Sequence, residues 1–593
     1  MNGSNKKHGK VCDMAEGLKG GLTSYGDAGF SLFIRQAFAR HLGFDNEDFD
    51  RPVIGICNTE SEVNRCHTHF GPIVEAIKRG VLMAGGVPLE FPTISLGEVF
   101  MNPTTMLYRN LAAMDTEEMI RAQPIDAVVL VTGCDKTTPA ALMGAASANK
   151  PAILVTGGPM ANGEYEGETL GACTDCRFYW QEYRAGRISE EALDEINQRL
   201  APTAGHCMVM GSASTIAVAS EAMGMALPGS ATHPAPETRR LKVAEASGKR
   251  IVGMVSENLR PVDIMTRPAF ENAIRAISAV GGSTNAVIHL TAIARRVGVV
   301  LTLDDFDRIS RDTPFIGNVR PAGKYQMEDF DHAGGVPALL KELEPLLKRD
   351  VMTCTGSTVG ELLDRTPKCS DVYRNVIYPL ESPLHPDGGL VVLRGNLAPN
   401  GALIKPKAAS ARLLRHSGRA VVFDSLEDLG NRIDDPDLDV TSDDVLVLRN
   451  AGPIGAPGMP EAGTIPIPKK LLAEGVTDMV RISDCRMSGT AFGTVVLHVA
   501  PEAAAGVPLS LVETGDMISL DVDQGELELL VDEGELERRR LRWKAPVNDS
   551  KGFVWLYREH VMQANEGCDF DFLTSGFDPS SHGGLRPPCE TAD

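Results

Sequence analysis

The sequence predicts an α/β protein: an N-terminal doubly wound parallel α/β domain followed by a smaller β-rich, barrel-like C-terminal domain. Short apolar runs alternate with helical patterns through the first half of the chain. A Pro/Gly-rich stretch interrupts it at residues 378–389 (YPLESPLHPDGG), and short strand candidates separated by turns follow. At 593 residues the chain is too long for one core, so a division into residues 1–380 and 381–593 is expected.

Taken in order, residues 51–57 read as a buried strand, 69–85 as a helix and 87–95 as a strand. Residues 113–121 read as a helix, 127–132 as a fully apolar strand, 138–148 as a small-residue helix and 152–156 as the next strand. This rhythm is that of a parallel sheet with both faces covered. Helical patterns dominate from 189 to about 300. Beyond the linker, strands are expected at 389–393, 419–423, 444–448, 478–482, 517–522 and 527–531. The Gly/Pro/Ser-rich tail, 574–593, is expected to be loose, and there is no internal repeat.

Composition narrows the function classes. The chain is 43% hydrophobic and 23% charged, as soluble globular proteins are. Its net charge of -21 opposes binding to nucleic acid or an anionic membrane surface. An anionic substrate would then need local positive charge, which a divalent metal supplies. No apolar run is long enough to span a membrane, and residues 1–10 are polar with no apolar segment behind them, unlike a secretion signal. The 12 cysteines are spread along the chain, as cytosolic thiols or metal ligands are, so a cytoplasmic location is expected.

Ligands of open α/β sheets collect beyond the carboxyl ends of the strands. Three expected strands run there into reactive side chains: one into Asn58-Thr-Glu-Ser-Glu-Val-Asn-Arg-Cys66-His67, one toward Glu98, and one into Gly133-Cys134-Asp135-Lys136-Thr137-Thr138. A further cysteine, Cys207, precedes a small-residue helix. Thiolates suit soft metals and iron–sulfur clusters, whereas carboxylates suit magnesium or manganese, so one crevice could hold two different metal centres. Cys57, Cys354, Cys369 and Cys485 read as small buried hydrophobes. Cys173-Thr-Asp-Cys176 is the one C-x-x-C. It has no second pair at zinc spacing and no thioredoxin-like context, so it reads as structural.

The motifs Asn58-x-x-Ser61-x-x-Asn64-x-Cys66-His67, Gly133-Cys-Asp-Lys-Thr-Thr138, Gly281-Gly-Ser-Thr-Asn285, Gly455-Ala-Pro-Gly-Met-Pro-Glu461 and Asp484-Cys-Arg-Met-Ser-Gly-Thr490 occur in one order over most of the chain. In these the sequence resembles the dihydroxy-acid and 6-phosphogluconate dehydratase family, especially its sugar-acid branch of arabinonate and xylonate dehydratases. The resemblance implies a hydro-lyase that converts a 2,3-dihydroxy carboxylate to a 2-keto acid. It implies that Cys66, Cys134 and Cys207 bind a 2Fe-2S cluster, and that Glu98, Asp135, Lys136 and Glu461 bind magnesium, or manganese in its place, with Lys136 carbamylated. Ser488 would be the catalytic base, Ser283, Thr284 and Thr490 would bind substrate, and the chain would form a homodimer or homotetramer. Two positions depart from the family pattern: Arg65 stands where proline is expected, and Cys485 where glycine or alanine is usual.

From the residues alone, Lys136 reads rather as a cation for the substrate carboxylate, and only the resemblance makes it a carbamylated metal ligand. Ser488 also reads as a turn or helix cap, and Gly281–Asn285 as a tight turn rather than a cradle of N–H groups. Within the family the competing substrate is 2,3-dihydroxyisovalerate, which needs an apolar pocket where a pentonate needs polar partners. A 6-phosphogluconate role lacks a dedicated basic cluster. A non-catalytic iron–sulfur sensor would leave the carboxylates Glu98, Asp135 and Glu461 with no reason to converge.

Overall fold

The computed structural model describes residues 16–22, 25–506 and 508–573; the expected loose tail and the polar first ten residues lie outside them. Strands β1 (Val53–Asn58), β2 (Val87–Pro92), β3 (Ala127–Thr132) and β4 (Ala152–Thr156) form a parallel sheet in the order β2-β1-β3-β4. The expected parallel α/β architecture is borne out. β1, β3 and β4 are buried along their whole length, which is why they read as unbroken apolar runs. The edge strand β2 is only partly buried and carries the exposed Glu90.

Helices Phe70–Met83, Thr105–Ala122 and Thr137–Ala148 make the three crossovers between these strands. Their packing is set by glycines. A Cβ at Gly80 of the first helix would run into the carbonyl of Glu245 on helix Thr238–Glu257, and one at Gly248 into the carbonyl of Ile77. In the same way, Gly144 lets helix Thr137–Ala148 approach to where an added Cβ would lie 2.7 Å from the Ala113 oxygen. A small antiparallel hairpin, β5 (Gly163–Tyr165) and β6 (Glu168–Leu170), follows the sheet.

The second architecture is a closed, mixed barrel of eight strands: β7 (Val391–Gly395), β8 (Ala398–Ile404), β9 (Arg415–Phe423), β10 (Val445–Leu448), β11 (Arg481–Ser483), β12 (Val495–Ala500), β13 (Met517–Asp521) and β14 (Glu526–Leu529). Around the barrel they run β10-β11-β12-β8-β7-β14-β13-β9. Six of the eight coincide with sequence expectations; β8 and β12 do not. β8 contains Pro399-Asn400-Gly401, which is turn chemistry inside a strand. β12 carries His498 at φ 55° where its pairing with β8 slips register. Such an irregularity breaks the two-residue alternation by which a strand is recognised.

After the barrel the chain returns to the helices of the first half. Arg109 donates to the carbonyls of Gly567 and Cys568 (2.9 and 2.8 Å). Arg296 makes a two-pronged pair with Asp569 (2.6 and 3.0 Å) and reaches Glu117 (3.2 Å). Arg109, Arg296 and Asp569 are all buried, so each depends on these partners.

Gly80→Ala is expected to lower the unfolding free energy by roughly 1–3 kcal/mol through forced separation of the two helices. Gly430→Ala, in helix Leu426–Arg432 with open space about its Cβ position, is expected to raise it by roughly 0.5–1 kcal/mol. Urea midpoints measured side by side check both signs.

Candidate active site

The candidate residues sit on loops that leave the carboxyl ends of parallel strands, in both architectures. Beyond β1 lie Cys66 and His67, beyond β2 Glu98, and beyond β3 Cys134, Asp135 and Lys136. In the barrel, β10 and β11 are parallel neighbours, and their following loops carry Glu461 and Ser488. Three helices begin at the same place: Thr137–Ala148 directly after Lys136, Ser212–Ala222 after Cys207, and Asn285–Arg296 after Gly281-Gly-Ser-Thr284. Their positive ends favour bound anions.

Glu98, Asp135 and Glu461 offer carboxylate oxygens that all lie within 4.8 Å of one another. The Lys136 Nζ stands among them, paired with Asp135, 3.2 Å from Glu461 Oε1 and 3.6 Å from Glu98 Oε2, with no exposed surface of its own. Burial and Arg486 pull the Lys136 ammonium down, but Asp135, Glu461 and Glu98 outweigh them and hold it up at about 12. Burial disfavours the Glu98 carboxylate, yet Lys136, Arg486 and the hydroxyls of Thr105 and Thr104 lower it to about 2.

A second buried cation completes the cluster. Arg486 Nη1 is 2.9 Å from Glu461 Oε1, its Nη2 donates to Thr104 Oγ1 (3.1 Å), and its Nε donates to the Met459 carbonyl (2.7 Å). Thr104 in turn donates to Glu98 Oε1 (2.7 Å). Asn285 Nδ2 donates to Glu461 Oε1 (3.1 Å), Ser212 Oγ (2.9 Å) and the Met487 carbonyl (3.1 Å), which ties the carboxylates to the loop of Ser488. Asn285 Oδ1 and Thr284 Oγ1 are buried with no hydrogen-bond partner among the described residues. Orphaned oxygens beside converging carboxylates are what a bound cation or a polar ligand satisfies.

Ser488 is the one partly exposed residue in a buried turn, and its Oγ lies 2.8 Å from Thr490 Oγ1. The turn is held by Gly489, whose N–H donates to Ser212 Oγ (3.3 Å). A side chain there would come within 2.5 Å of Ser283 Cβ. Lys405 Nζ is 3.5 Å from the Gly489 carbonyl, and burial lowers its ammonium to about 8. Ser283 is occupied structurally: its N–H donates to Thr215 Oγ1 (3.0 Å) and its Oγ meets Ser212 Oγ at 2.9 Å. The Ser283 N–H and hydroxyl thus both have protein partners.

The thiols divide into two groups. Cys66 lies close enough to Cys134 to push its thiol up, together with burial. His67 supports this pair: the Cys134 N–H donates to its Nε2 (2.9 Å), so Nδ1 carries the proton and donates to the Thr59 carbonyl (2.8 Å). Burial takes the His67 imidazolium down to about 3, so the ring is neutral. Cys207 stands on a neighbouring loop, with its sulfur 3.1 Å from Cys173 Sγ. Among the described residues the carboxylate trio is the one metal-ligating group gathered within 4.8 Å, so the three thiols do not meet at a single point. A two-iron cluster does not require them to. Arg65 bridges the two loops, donating to the carbonyls of Ala201 and Thr203 (2.5 Å each). Cys485 is buried and packs against Gly463.

A cavity of about 360 Å³ opens beside Glu461 and is lined by Arg177, Trp180, Arg184, Arg481 and Phe492. Arg177 Nε is buried without a hydrogen-bond partner among the described residues.

Two family profiles match, described as dihydroxy-acid/6-phosphogluconate dehydratase N-terminal (residues 51–362) and C-terminal (residues 375–568). The chain belongs to the dihydroxy-acid/6-phosphogluconate dehydratase family. It is 49% identical over 554 residues to an L-arabinonate dehydratase of Rhizobium leguminosarum bv. trifolii (93% of this chain, 95% of the relative). It is 48% identical over 549 residues to a 6-deoxy-6-sulfo-D-gluconate dehydratase of Pseudomonas putida (92% and 94%). To a dihydroxy-acid dehydratase of Ignicoccus hospitalis it is 41% identical over 556 residues (91% and 99%). The dehydratase family expected from the motifs is therefore confirmed, with the L-arabinonate and sulfogluconate dehydratases above the dihydroxy-acid dehydratase in identity.

Sequence reasoning left out Arg486, Asn285, Thr104, Thr105, Ser212 and Lys405. Arg486 and Asn285 stand inside motifs already singled out. Thr104 and Thr105 follow Glu98 with no pattern that announces them. Lys405 carries no local signal, because only the closed barrel buries it. Arg486→Met should destabilise the metal-free protein by about 1–3 kcal/mol, because it removes one of the two cations facing the part-buried Glu461 carboxylate and leaves Lys136 alone against three carboxylates. Thermal unfolding in chelator, beside the wild type, measures it.

Proposed function

We propose that this protein is a hydro-lyase that removes water from a sugar acid, a pentonate such as L-arabinonate or D-xylonate or a related hexonate, to give a 2-keto-3-deoxy acid. The carrying observation is the convergence of Glu98, Asp135, Glu461 and Lys136, tied through Asn285 to the turn that bears the partly exposed Ser488. Hard oxygen donors in that number suit magnesium or manganese, and the orphaned Asn285 Oδ1 supports the fit. Cys66, Cys134 and Cys207 would hold a 2Fe-2S cluster; the pairing of Cys66 with Cys134 and the lacing of the Cys207 loop by Arg65 support that reading. Bound there, the ion and the cluster would supply Lewis acidity at the substrate's carboxylate and hydroxyl oxygens.

Ser488 Oγ takes the C2 proton. Thr490 holds it at 2.8 Å, Gly489 fixes its turn, and the buried cations Lys405 and Arg486 on flanking segments favour negative charge there. Thr284 Oγ1, without a partner, is available to the substrate, and Ser283 and Thr490 shape the same wall. Lys136 is carbamylated in the working enzyme. Three carboxylates keep its amine protonated in the metal-free state, and a cation bound by those carboxylates removes that pull and frees the amine to react with carbon dioxide. Metal and carbamate therefore load together: ¹³C-labelled bicarbonate should give a carbamate NMR signal that needs magnesium, and Lys136→Met should abolish it.

The higher identity to the L-arabinonate dehydratase than to the dihydroxy-acid dehydratase favours a polyhydroxy acid over dihydroxyisovalerate. We place the enzyme in the cytoplasm as a homo-oligomer. The exposed Phe30, Phe33, Phe38 and Phe100 support self-association, and no helix among the described residues is long and apolar enough to cross a membrane.

Anaerobically purified protein with iron–sulfur absorbance and magnesium should form 2-keto acid from L-arabinonate or D-xylonate well above 2,3-dihydroxyisovalerate; the reverse order would overturn the substrate class. Ser488→Ala should lose about 10²–10⁴-fold in turnover with the cluster spectrum retained, and full turnover would remove Ser488 as the base.

A further inference from the structure

The C-x-x-C that the dehydratase reading leaves unused lies against Cys207. Cys173 Sγ is 3.1 Å from Cys207 Sγ, and the Cys173 N–H donates to Cys176 Sγ at 3.2 Å. Cys173 caps helix Thr174–Arg184 at φ 72°, and Cys176 is one turn into it on the same face. One sulfur thus stands between two others. All three cysteines are partly exposed, whereas Cys57, Cys354, Cys369, Cys485 and Cys568 are buried. Arg177, next in sequence, is a cation beside the pair.

We propose that Cys173 and Cys176 form a thiol relay that takes oxidation off Cys207 when the cluster is absent, leaving Cys207 free to bind iron again. The oxidant is a hydroperoxide. The Cys207 thiolate attacks one peroxide oxygen: an S–O bond forms, the O–O bond breaks, and hydroxide leaves. The Cys173 thiolate then attacks the Cys207 sulfur, forming the Cys173–Cys207 disulfide as the S–O bond breaks. Two thiols have lost two electrons and two protons, and hydrogen peroxide has become two waters. The Cys176 thiolate next attacks Cys173 Sγ, forming the Cys173–Cys176 disulfide and expelling the Cys207 thiolate, with no net redox change. A cellular dithiol reduces the resulting pair. Without Cys173, the sulfenic acid on Cys207 meets further peroxide and passes to the sulfinic acid, which thiols do not reverse.

The protective role rests on Cys207 being a cluster thiolate, whereas the disulfides rest on geometry alone; the experiment separates the two. Cluster-free full-length protein is treated anaerobically with two equivalents of hydrogen peroxide per chain, alkylated, digested and mapped by mass spectrometry. Half of each sample is reduced with dithiothreitol and reconstituted with iron and sulfide. The wild type should yield the Cys173–Cys176 disulfide, Cys176→Ser should trap Cys173–Cys207, and Cys173→Ser should carry two added oxygens on Cys207 and lose reconstituted visible absorbance. Full alkylation of Cys207 in Cys176→Ser, or a zinc ion held by the three thiols in place of any disulfide, overturns the relay. Both disulfides in their expected variants, with untreated Cys207→Ser still assembling a full cluster, would uphold the thiol chemistry and overturn its protective role together with the ligand assignment.

Discussion

A single buried ammonium surrounded by three carboxylates is the constraint around which this protein is organised. Glu98 and Asp135 come from loops of the parallel sheet and Glu461 from a loop of the barrel, so the cluster forms only when both architectures are folded and docked. Such an arrangement is expensive in isolation. Three carboxylates against Lys136 and Arg486 leave excess negative charge in a site where water screens little. That imbalance is a stability liability in the bare protein and a source of affinity for a divalent cation. The carbamate proposed for Lys136 would enlarge it further and would give a lysine a use among three carboxylates.

The other contacts of the site keep that cluster in place. Asn285 joins Glu461 to the Met487 carbonyl, and Gly489 lets the Ser488 turn press against Ser283 and Ser212. The buried pairing of Arg296 with Asp569 pins the segment after the barrel to helix Asn285–Arg296, whose first residue is Asn285.

The sheet was legible because β1, β3 and β4 are buried on both faces, and such strands announce themselves as apolar runs ending at reactive loops. The barrel was legible in outline, but β8 and β12 hide behind turn residues and a register slip. At the site, Glu98, Asp135, Lys136 and Glu461 could be named together from the resemblance, although periodicity could not have shown that residues 98 and 461 meet. Thr104 and Lys405 were out of reach for a related reason. Their importance comes from partners hundreds of residues away or from enclosure by the closed barrel, and neither leaves a trace in local sequence.

Cys173 shows the same limit from the opposite side. Sequence spacing made the C-x-x-C look like an isolated pair, because a redox or zinc role normally requires a second pair or a thioredoxin-like setting. The third thiol is supplied by Cys207, on a loop that Arg65 draws against the segment bearing Cys66. The departure at Arg65 thus has a structural use: where the family pattern has proline, this chain has a long donor that holds two thiol-bearing loops together. For the cluster proposed on these thiols, a tether of this kind would matter most when the cluster is absent, since it keeps the two thiol-bearing loops in register.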